Sequence, residues 1–323
     1  MNGWPCRILC LLVLVGCSSE RLAVEPTIGM EERLNGGEPE DQESLANAIS
    51  PASSPSTTSD ASTSNSSEAQ NNDTILALAW NVESGGADSS VIAERLQSFS
   101  DYQIFCLSEV HPSDFDKYQD ALPKKFESVN SHSGNEDRLQ ILFDSSRFER
   151  LETIELDRYR DYVLNNGGHR SPTAVRLKDR VTNKSFIVMV NHLARGNAEF
   201  RTNQAIGLRE WARDQNQAVI CVGDFNMDYE FATQKGNDAL DEILRDNVWQ
   251  WVKPHAWIDS NWWDPEGDGV DNFDGSLLDF VFVSGPAKTW TPRCEVLIEP
   301  GDFPDDATTS DHRPISLQFT PNR

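Results

Sequence analysis

The stretch Ala218-Val219-Ile220-Cys221-Val222-Gly223-Asp224-Phe225-Asn226 constrains this chain more than any other. Five consecutive apolar residues read as a strand buried on both faces, and such a strand needs covering neighbours. At its end an acid and an amide stand two positions apart, so an extended backbone carries both to one side. Asp224 and Asn226 can then face one site. Taken alone, the stretch also fits a turn whose two side chains only cap backbone amides. Four further polar clusters, each beside an apolar strand-like run, outweigh that reading: Trp80-Asn81-Val82-Glu83, Leu107-Ser108-Glu109, Val190-Asn191-His192-Leu193 and Ser310-Asp311-His312-Arg313-Pro314.

Between these clusters the apolar spacing predicts helices over 87–99, 112–122, 197–215 and 237–246. Strands are predicted over 74–80, 104–107, 139–143, 173–177, 185–190, 277–283 and 315–319. Strands and helices interleave without an internal repeat, so the class is α/β. The pattern by itself leaves sheet order open.

The N-terminal part reads differently. Arg7 precedes the apolar run Ile8 to Val15, which has the form of a secretory leader and is too short to span a bilayer as a helix. Leu14-Val15-Gly16-Cys17 looks like a bacterial lipobox, which predicts Cys17 as the lipidated first residue of the mature chain; an ordinary cleaved signal peptide (1–17) is the alternative. Residues 18–73 are rich in Ser, Thr, Asn, Pro and Glu, too polar to offset their ordering entropy, and read as a disordered tether to a catalytic domain over 74–323. The expectation is an exported, membrane-anchored monomer facing the periplasm or cell exterior.

The formal net charge is −24. The tether carries eleven acids and two arginines, and the remainder is acidic as well. That counts against nucleic-acid binding through a broad basic face, which needs Lys and Arg to neutralise phosphates. It leaves room for one phosphate held by a divalent cation and a few local arginines. Cys106, Cys221 and Cys294 remain after the leader. The first two lie in apolar runs as core thiols, and the spacing supports neither a disulfide framework nor a zinc site.

Taken together and in this order, the strand-terminal clusters resemble the endonuclease/exonuclease/phosphatase superfamily, over about residues 74 to 320. The resemblance implies a deoxyribonuclease I-like four-layer α/β sandwich: two mixed β-sheets packed face to face, with helices outside and the site at one end of the sheet pair. It implies a hydrolase of phosphate esters that uses Mg²⁺ or Mn²⁺. Phe280 and Leu278 depart from the common pattern, where tyrosine and a polar residue are frequent.

Residue by residue, the resemblance makes Glu109 the direct metal ligand and Asp311 a ligand directly or through water. Hard oxygen donors of this kind suit Mg²⁺, which keeps several waters. Asp224 would orient or deprotonate the attacking water, and Asn226 would donate to the phosphoryl oxygens or position that water. His312 would donate to the phosphate while Asp279 accepts from its other ring nitrogen and fixes the tautomer. His192 would be a second histidine at the phosphate, Asn81 a brace between metal ligand and substrate, and Arg170 a grip on a neighbouring phosphate. Singly, each has a bland rival as a turn residue, strand cap or surface acid.

Two further features bear on function. Asp264 to Asp271 has oxygen donors at alternate positions like the first half of a calcium loop, but Gly275 stands where the bidentate glutamate belongs, so a solvated acidic loop is the expectation. Trp249, Trp251, Trp257, Trp262 and Trp263 are expected to pack in the core rather than to form a rim for substrate or lipid. The leading functional reading is a phosphodiesterase or nuclease. A lipid or inositol phosphate esterase is the alternative, and a binding protein that kept the fold without activity comes third.

Overall fold

Alternation along the strands decides how this chain layers itself. The computed structural model describes residues 73–303 and 308–322. The predicted leader, Cys17 and residues 18–72 of the predicted tether lie outside the described residues.

The chain begins with β1 (Ile75–Asn81), α1 (Ser89–Ser98), β2 (Ile104–Val110), α2 (Phe115–Ala121), β3 (Phe126–Asn130) and β4 (Arg138–Asp144). It continues with β5 (Phe148–Glu155), the short β6 (Arg158–Tyr159) and β7 (Tyr162–Val163), β8 (Thr173–Asp179), β9 (Ser185–His192) and α3 (Ala198–Arg213). The last elements are β10 (Ala218–Glu230), α4 (Asp238–Leu244), β11 (Trp249–Trp251), β12 (Ser276–Ser284), β13 (Arg293–Val296) and β14 (Ile315–Phe319). One six-stranded sheet has the order β13-β14-β1-β2-β4-β3, the other β11-β12-β10-β9-β8-β5. Each contains one parallel pair, β1 with β2 and β9 with β10, so both are mixed.

Odd positions of β1 (Ile75, Ala77, Ala79) meet even positions of β9 and β10 (Val188, Val190, Ile220, Val222) in one core between the sheets. The opposite face of β1, Leu78 and Trp80, packs on Ile92 and Leu96 of α1. The opposite faces of β9 and β10, Ile187, Met189, Val219 and Cys221, pack with Ala205 and Leu208 of α3. Three apolar seams thus bind four layers, helix, sheet, sheet and helix. Between the sheets, Phe186 meets Phe148, Trp290 and Phe319 edge to face, and each such buried ring stabilises the fold by roughly 1.5–3 kcal/mol.

The predicted helices form within a few residues of their expected ends. Asp88 and Asn197 cap α1 and α3 by accepting from Ser90 N at 2.8 Å and Phe200 N at 2.9 Å. The helix expected over 112–122 opens as a 3₁₀ turn at Pro112–Asp114 before α2 begins. Of the six strands that the apolar pattern does not predict, β3, β5, β11 and β13 are the outer strands of the two large sheets, and β6 and β7 pair with each other. A second correction concerns the Asp224 stretch: β10 does not end at Asn226 but runs to Glu230, with an irregularity in its pairing to β12 between Asp224 and Tyr229.

Alternation also positions polar groups. Asn81, His192, Asp224 and Asp279 share the parity of the residues that fill the core between the sheets, so they continue that inner face where the core stops. In register, Asp224 lies beside His192 of β9 and Asp279 of β12. Gly223 is needed there: at φ +123° a Cβ would stand 2.2 Å from Asn191 O.

Candidate active site

Strand parity alone would send Glu109 to the helix-facing side of its sheet, with Leu107. A positive φ of 53° at Glu109, where the β2–β4 register slips, turns its carboxylate inward instead. Asn81, fully buried, then bridges the two sheets: Nδ2 donates to Glu109 Oε1 at 2.9 Å and to Asp224 Oδ2 at 3.2 Å.

Asp224 is the hub. It is 2 % exposed, and Oδ1 accepts from Asn226 N at 2.8 Å. Around Oδ2 stand Asn81 Nδ2, His192 Nε2 at 3.4 Å and His312 Nε2 at 3.8 Å. His312 Nδ1 lies 2.7 Å from Asp279 Oδ2. Burial opposes a charge on this imidazole, but Asp279, Asp311 and Asp224 outweigh it and raise the pKa well above its ordinary value. The surrounding carboxylates thus favour the protonated ring, with Nδ1 committed to Asp279 and Nε2 facing Asp224.

His192 sits between carboxylates, with Nε2 3.5 Å from Glu109 Oε1 and Nδ1 3.4 Å from Asp137 Oδ1. Sequence reasoning missed Asp137, which stands just before a strand rather than after one. Arg170 is fixed by a 2.5 Å bond from Nη1 to Asp137 Oδ2 and a 2.9 Å bond from Nε to His192 O. It lines the cleft with these donors engaged by its neighbours. A second cation lining the cleft is Arg195, in the loop after β9. It has no carboxylate partner among the described residues and is held by Asn226 Oδ1 at 3.0 Å. Asn226 in turn gives Nδ2 to Leu193 O at 3.0 Å. Asn226 thus holds Arg195 through Oδ1 and spends one of its two Nδ2 hydrogens on Leu193 O, which leaves the other for a further acceptor. The spacing of Arg195 three residues past His192 was the available signal.

Glu83, in the sequence cluster around Asn81 but given no role from sequence, accepts from Asp311 N at 3.0 Å. Burial, then the nearby Asp311 carboxylate, pushes its carboxyl up to about 7. Burial and Glu109 likewise raise Asp311, against the pull of His312. Carboxylates crowded this way favour a bound cation. Two sets suit one, and Glu109 belongs to both. Glu109, Asp137 and His192 place one donor atom each within 4.8 Å of one another. Glu109, Glu83 and Asp311 lie further apart but offer oxygen alone, which suits a magnesium ion that keeps its waters. Its oxygen-only donors favour the second set for magnesium, while in the first set His192 Nδ1 and Asp137 Oδ1 stand 3.4 Å apart without a hydrogen-bond partner among the described residues.

These charges set a pH trend. Glu83, Asp311 and His312 all hold protons more tightly folded than unfolded, so from pH 5 to 8 the folded state binds the excess and stability falls as pH rises. The melting temperature of the metal-free protein should drop across that range. Millimolar Mg²⁺ or Mn²⁺ should restore more of it at pH 8 than at pH 5, where protons compete for the same oxygens. A melting temperature that rises with pH, or equal metal stabilisation at both ends, would contradict the placement of these carboxyls.

The cleft above these groups has a volume of about 420 Å³, and Trp262, Trp263 and Leu278 form one wall. Of the five tryptophans only Trp249 is buried as the core expectation had it; Trp251 and Trp262 are half-buried, and Trp257 and Trp263 are exposed at 43 % and 47 %. The loop 264–275 has its first carboxylate spent on its own amides: Asp264 accepts from Gly267 N, Asp268 N and Gly269 N.

A model of the Endonuclease/Exonuclease/phosphatase family matches residues 78–312. No curated protein matches the chain by sequence. Among solved structures, an endonuclease/exonuclease/phosphatase family protein from Bacteroides thetaiotaomicron superposes with a TM-score of 0.59 at 18% identity, covering 77% of this chain and 95% of that one. A mannosyl-6-phosphatase from the same organism gives 0.58 at 19%, covering 76% and 99%. D. rerio TDP2 complexed with single strand DNA product gives 0.58 at 14%, covering 76% and 99%. At these identities the superpositions show a shared fold.

Proposed function

The chain belongs to the endonuclease/exonuclease/phosphatase family, metal-dependent hydrolases of phosphate esters, and on that premise we propose that it hydrolyses small phosphodiesters by attack of water at phosphorus. One observation carries the reading: the side chains of Asn81, His192 and His312, from both sheets and the last loop, converge on Asp224 Oδ2.

Asp224 is the group that holds the attacking water and accepts its proton. His312 suits that part less well, since Nδ1 is bonded to Asp279 and the carboxylates around it favour the protonated ring. It donates to a phosphoryl oxygen, and Asp279 keeps the ring oriented. His192 is the second donor, and Arg195 supplies a guanidinium free of carboxylates. Glu109, with Glu83 and Asp311, would hold the divalent ion, which when bound neutralises charge on the phosphoryl and leaving oxygens. Asn81 keeps Glu109 and Asp224 at a fixed separation, so the two sheets act as one frame.

The acidic balance of the chain favours a small ester over duplex nucleic acid. Exposed Trp263, Val270 and Phe273 support a second reading, an ester of a lipid or inositol phosphate whose apolar or ring portion meets them. The test is steady-state hydrolysis of bis(p-nitrophenyl) phosphate by the full chain. Turnover with Mg²⁺ or Mn²⁺ that disappears in chelator and returns on adding metal is expected. Turnover that survives chelation would overturn the reading.

A further inference from the structure

One wall of the cleft holds a polar group that the chemistry described so far does not use. Asn261 is 2 % exposed, lines the cleft, and its Oδ1 has no hydrogen-bond partner among the described residues. An amide left unpaired at that depth carries a desolvation cost, which a ligand hydroxyl would relieve. Its position is rigidly set. Asn261 forms a β-bridge with His312, and on either side Trp262 N donates to Asp311 O at 2.7 Å and Arg313 N to Ser260 O at 2.8 Å. Ser260 Oγ accepts from Leu278 N and Asp279 N at 3.0 and 3.3 Å, tying the same segment to β12. The Asn261 to Trp263 wall is therefore fastened directly to the two residues of the His312 and Asp279 pair.

From these observations we infer that Asn261 and Trp263 form a subsite for a neutral ring bearing hydroxyls, a pyranose or a cyclitol, esterified to the phosphate that is cleaved. The inference rests on the phosphoester hydrolase reading above and names its substrate class. A side-chain amide both donates and accepts, which matches a hydroxyl; a phosphate oxygen only accepts. The half-exposed Trp263 indole offers a flat apolar face to the C–H side of such a ring. Arg195 lines the same cleft with its guanidinium 5.5 Å from the Phe273 ring, so the loop that follows Trp263 reaches the cation that would meet the phosphate.

Charge decides against the other flat ligand, a base within a polynucleotide. Residues 264–275, immediately beyond Trp263, carry five acids and no Lys or Arg. A strand stacked on Trp263 would bring its next phosphate toward that loop, where like charges repel and no cation releases counterions. A neutral ring meets no such penalty. The roughly 420 Å³ of the cleft also suits one ring and one phosphate.

The experiment measures kcat/KM of the full-length protein with Mg²⁺ on the glucose 6-phosphate, myo-inositol 1-phosphate and glycerol 3-phosphate esters, each as monoester and methyl diester, and on oligothymidylate. The ring esters should be preferred over both the glycerol ester and oligothymidylate, whichever of pyranose and cyclitol leads. The ring-to-glycerol ratio should fall about tenfold in Trp263→Ala and in Asn261→Ala. Trp263 is on the surface, so that variant remains informative even if Asn261→Ala folds poorly. A ratio within twofold of wild type in folded Trp263→Ala, or faster turnover of oligothymidylate than of ring esters, overturns the subsite while metal-dependent hydrolysis stands. Absence of metal-dependent turnover on every probe removes the hydrolase reading and the subsite together.

Discussion

Replacing Asp224 with alanine should lower kcat by about 10³-fold with little change in KM, the loss expected when a group that acts chiefly in the transition state is removed. The reasoning is positional. Asp224 is buried, its Oδ1 is committed to the Asn226 amide, and its Oδ2 faces the donors Asn81, His192 and His312. Of the groups at this centre, His312 is bonded through Nδ1 to Asp279 among carboxylates that favour its protonated form, and Glu109 and Asp311 are placed for the cation, which leaves proton acceptance to Asp224. Asp224→Asn keeps the volume and the contact with Asn226 N and should be nearly as slow. Because a buried charge surrounded by donors is removed, both variants need thermal melts beside the kinetics. A folded Asp224→Asn protein with more than about one tenth of wild-type kcat would contradict this role.

The second large effect belongs to Glu109. Loss of partners around a metal ligand already costs about 10- to 100-fold in affinity, so loss of a direct carboxylate ligand in Glu109→Gln should cost at least that. Mn²⁺ titration by electron paramagnetic resonance reads this without turnover. Glutamine preserves the hydrogen bond from Asn81 Nδ2, so the fold between the sheets should hold while the ion is lost. If Glu109→Gln bound Mn²⁺ as wild type does, the ion would belong to other residues.

Much of this arrangement is legible in the order of amino acids alone, for a definite physical reason. The central strands are covered on both faces and so appear as unbroken apolar runs, as at 75–79 and 218–222. The polar residues that interrupt such runs mark where the core stops, which is why Asn81, His192 and Asp224 stand out. The outer strands β3, β5, β11 and β13 have no such mark. Along β5 the residues after Phe148 are exposed or half-buried, so it reads as a polar segment even though it pairs with β8 along its length.

Within the site, the misreadings have a common cause. Sequence spacing tells which residues lie near a strand end but not which of their atoms are already engaged. Arg170 and Asn226 were legible as neighbours of the site, but not that Asp137 and His192 engage Arg170 or that Asn226 gives one of its amide hydrogens to Leu193 O. Arg195 stands three residues past His192 in the sequence, but that it has no carboxylate partner among the described residues shows only in the fold. Glu109 adds a different lesson: simple alternation places it on the wrong face, and a single left-handed backbone angle corrects it. Asn261, in a segment without strand or helix periodicity, carries no sequence signal beyond its nearness to two tryptophans.

Glu109, Glu83 and Asp311 are proposed to gather round one divalent cation beside Asp224. An anomalous difference map from a crystal grown with Mn²⁺ should show one strong peak within coordination distance, about 2.0–2.2 Å, of a Glu109 carboxylate oxygen, with Glu83 and Asp311 bound directly or through water. A peak held by Asp137 and His192 without Glu83 or Asp311, or a map with no peak in the cleft, would contradict it.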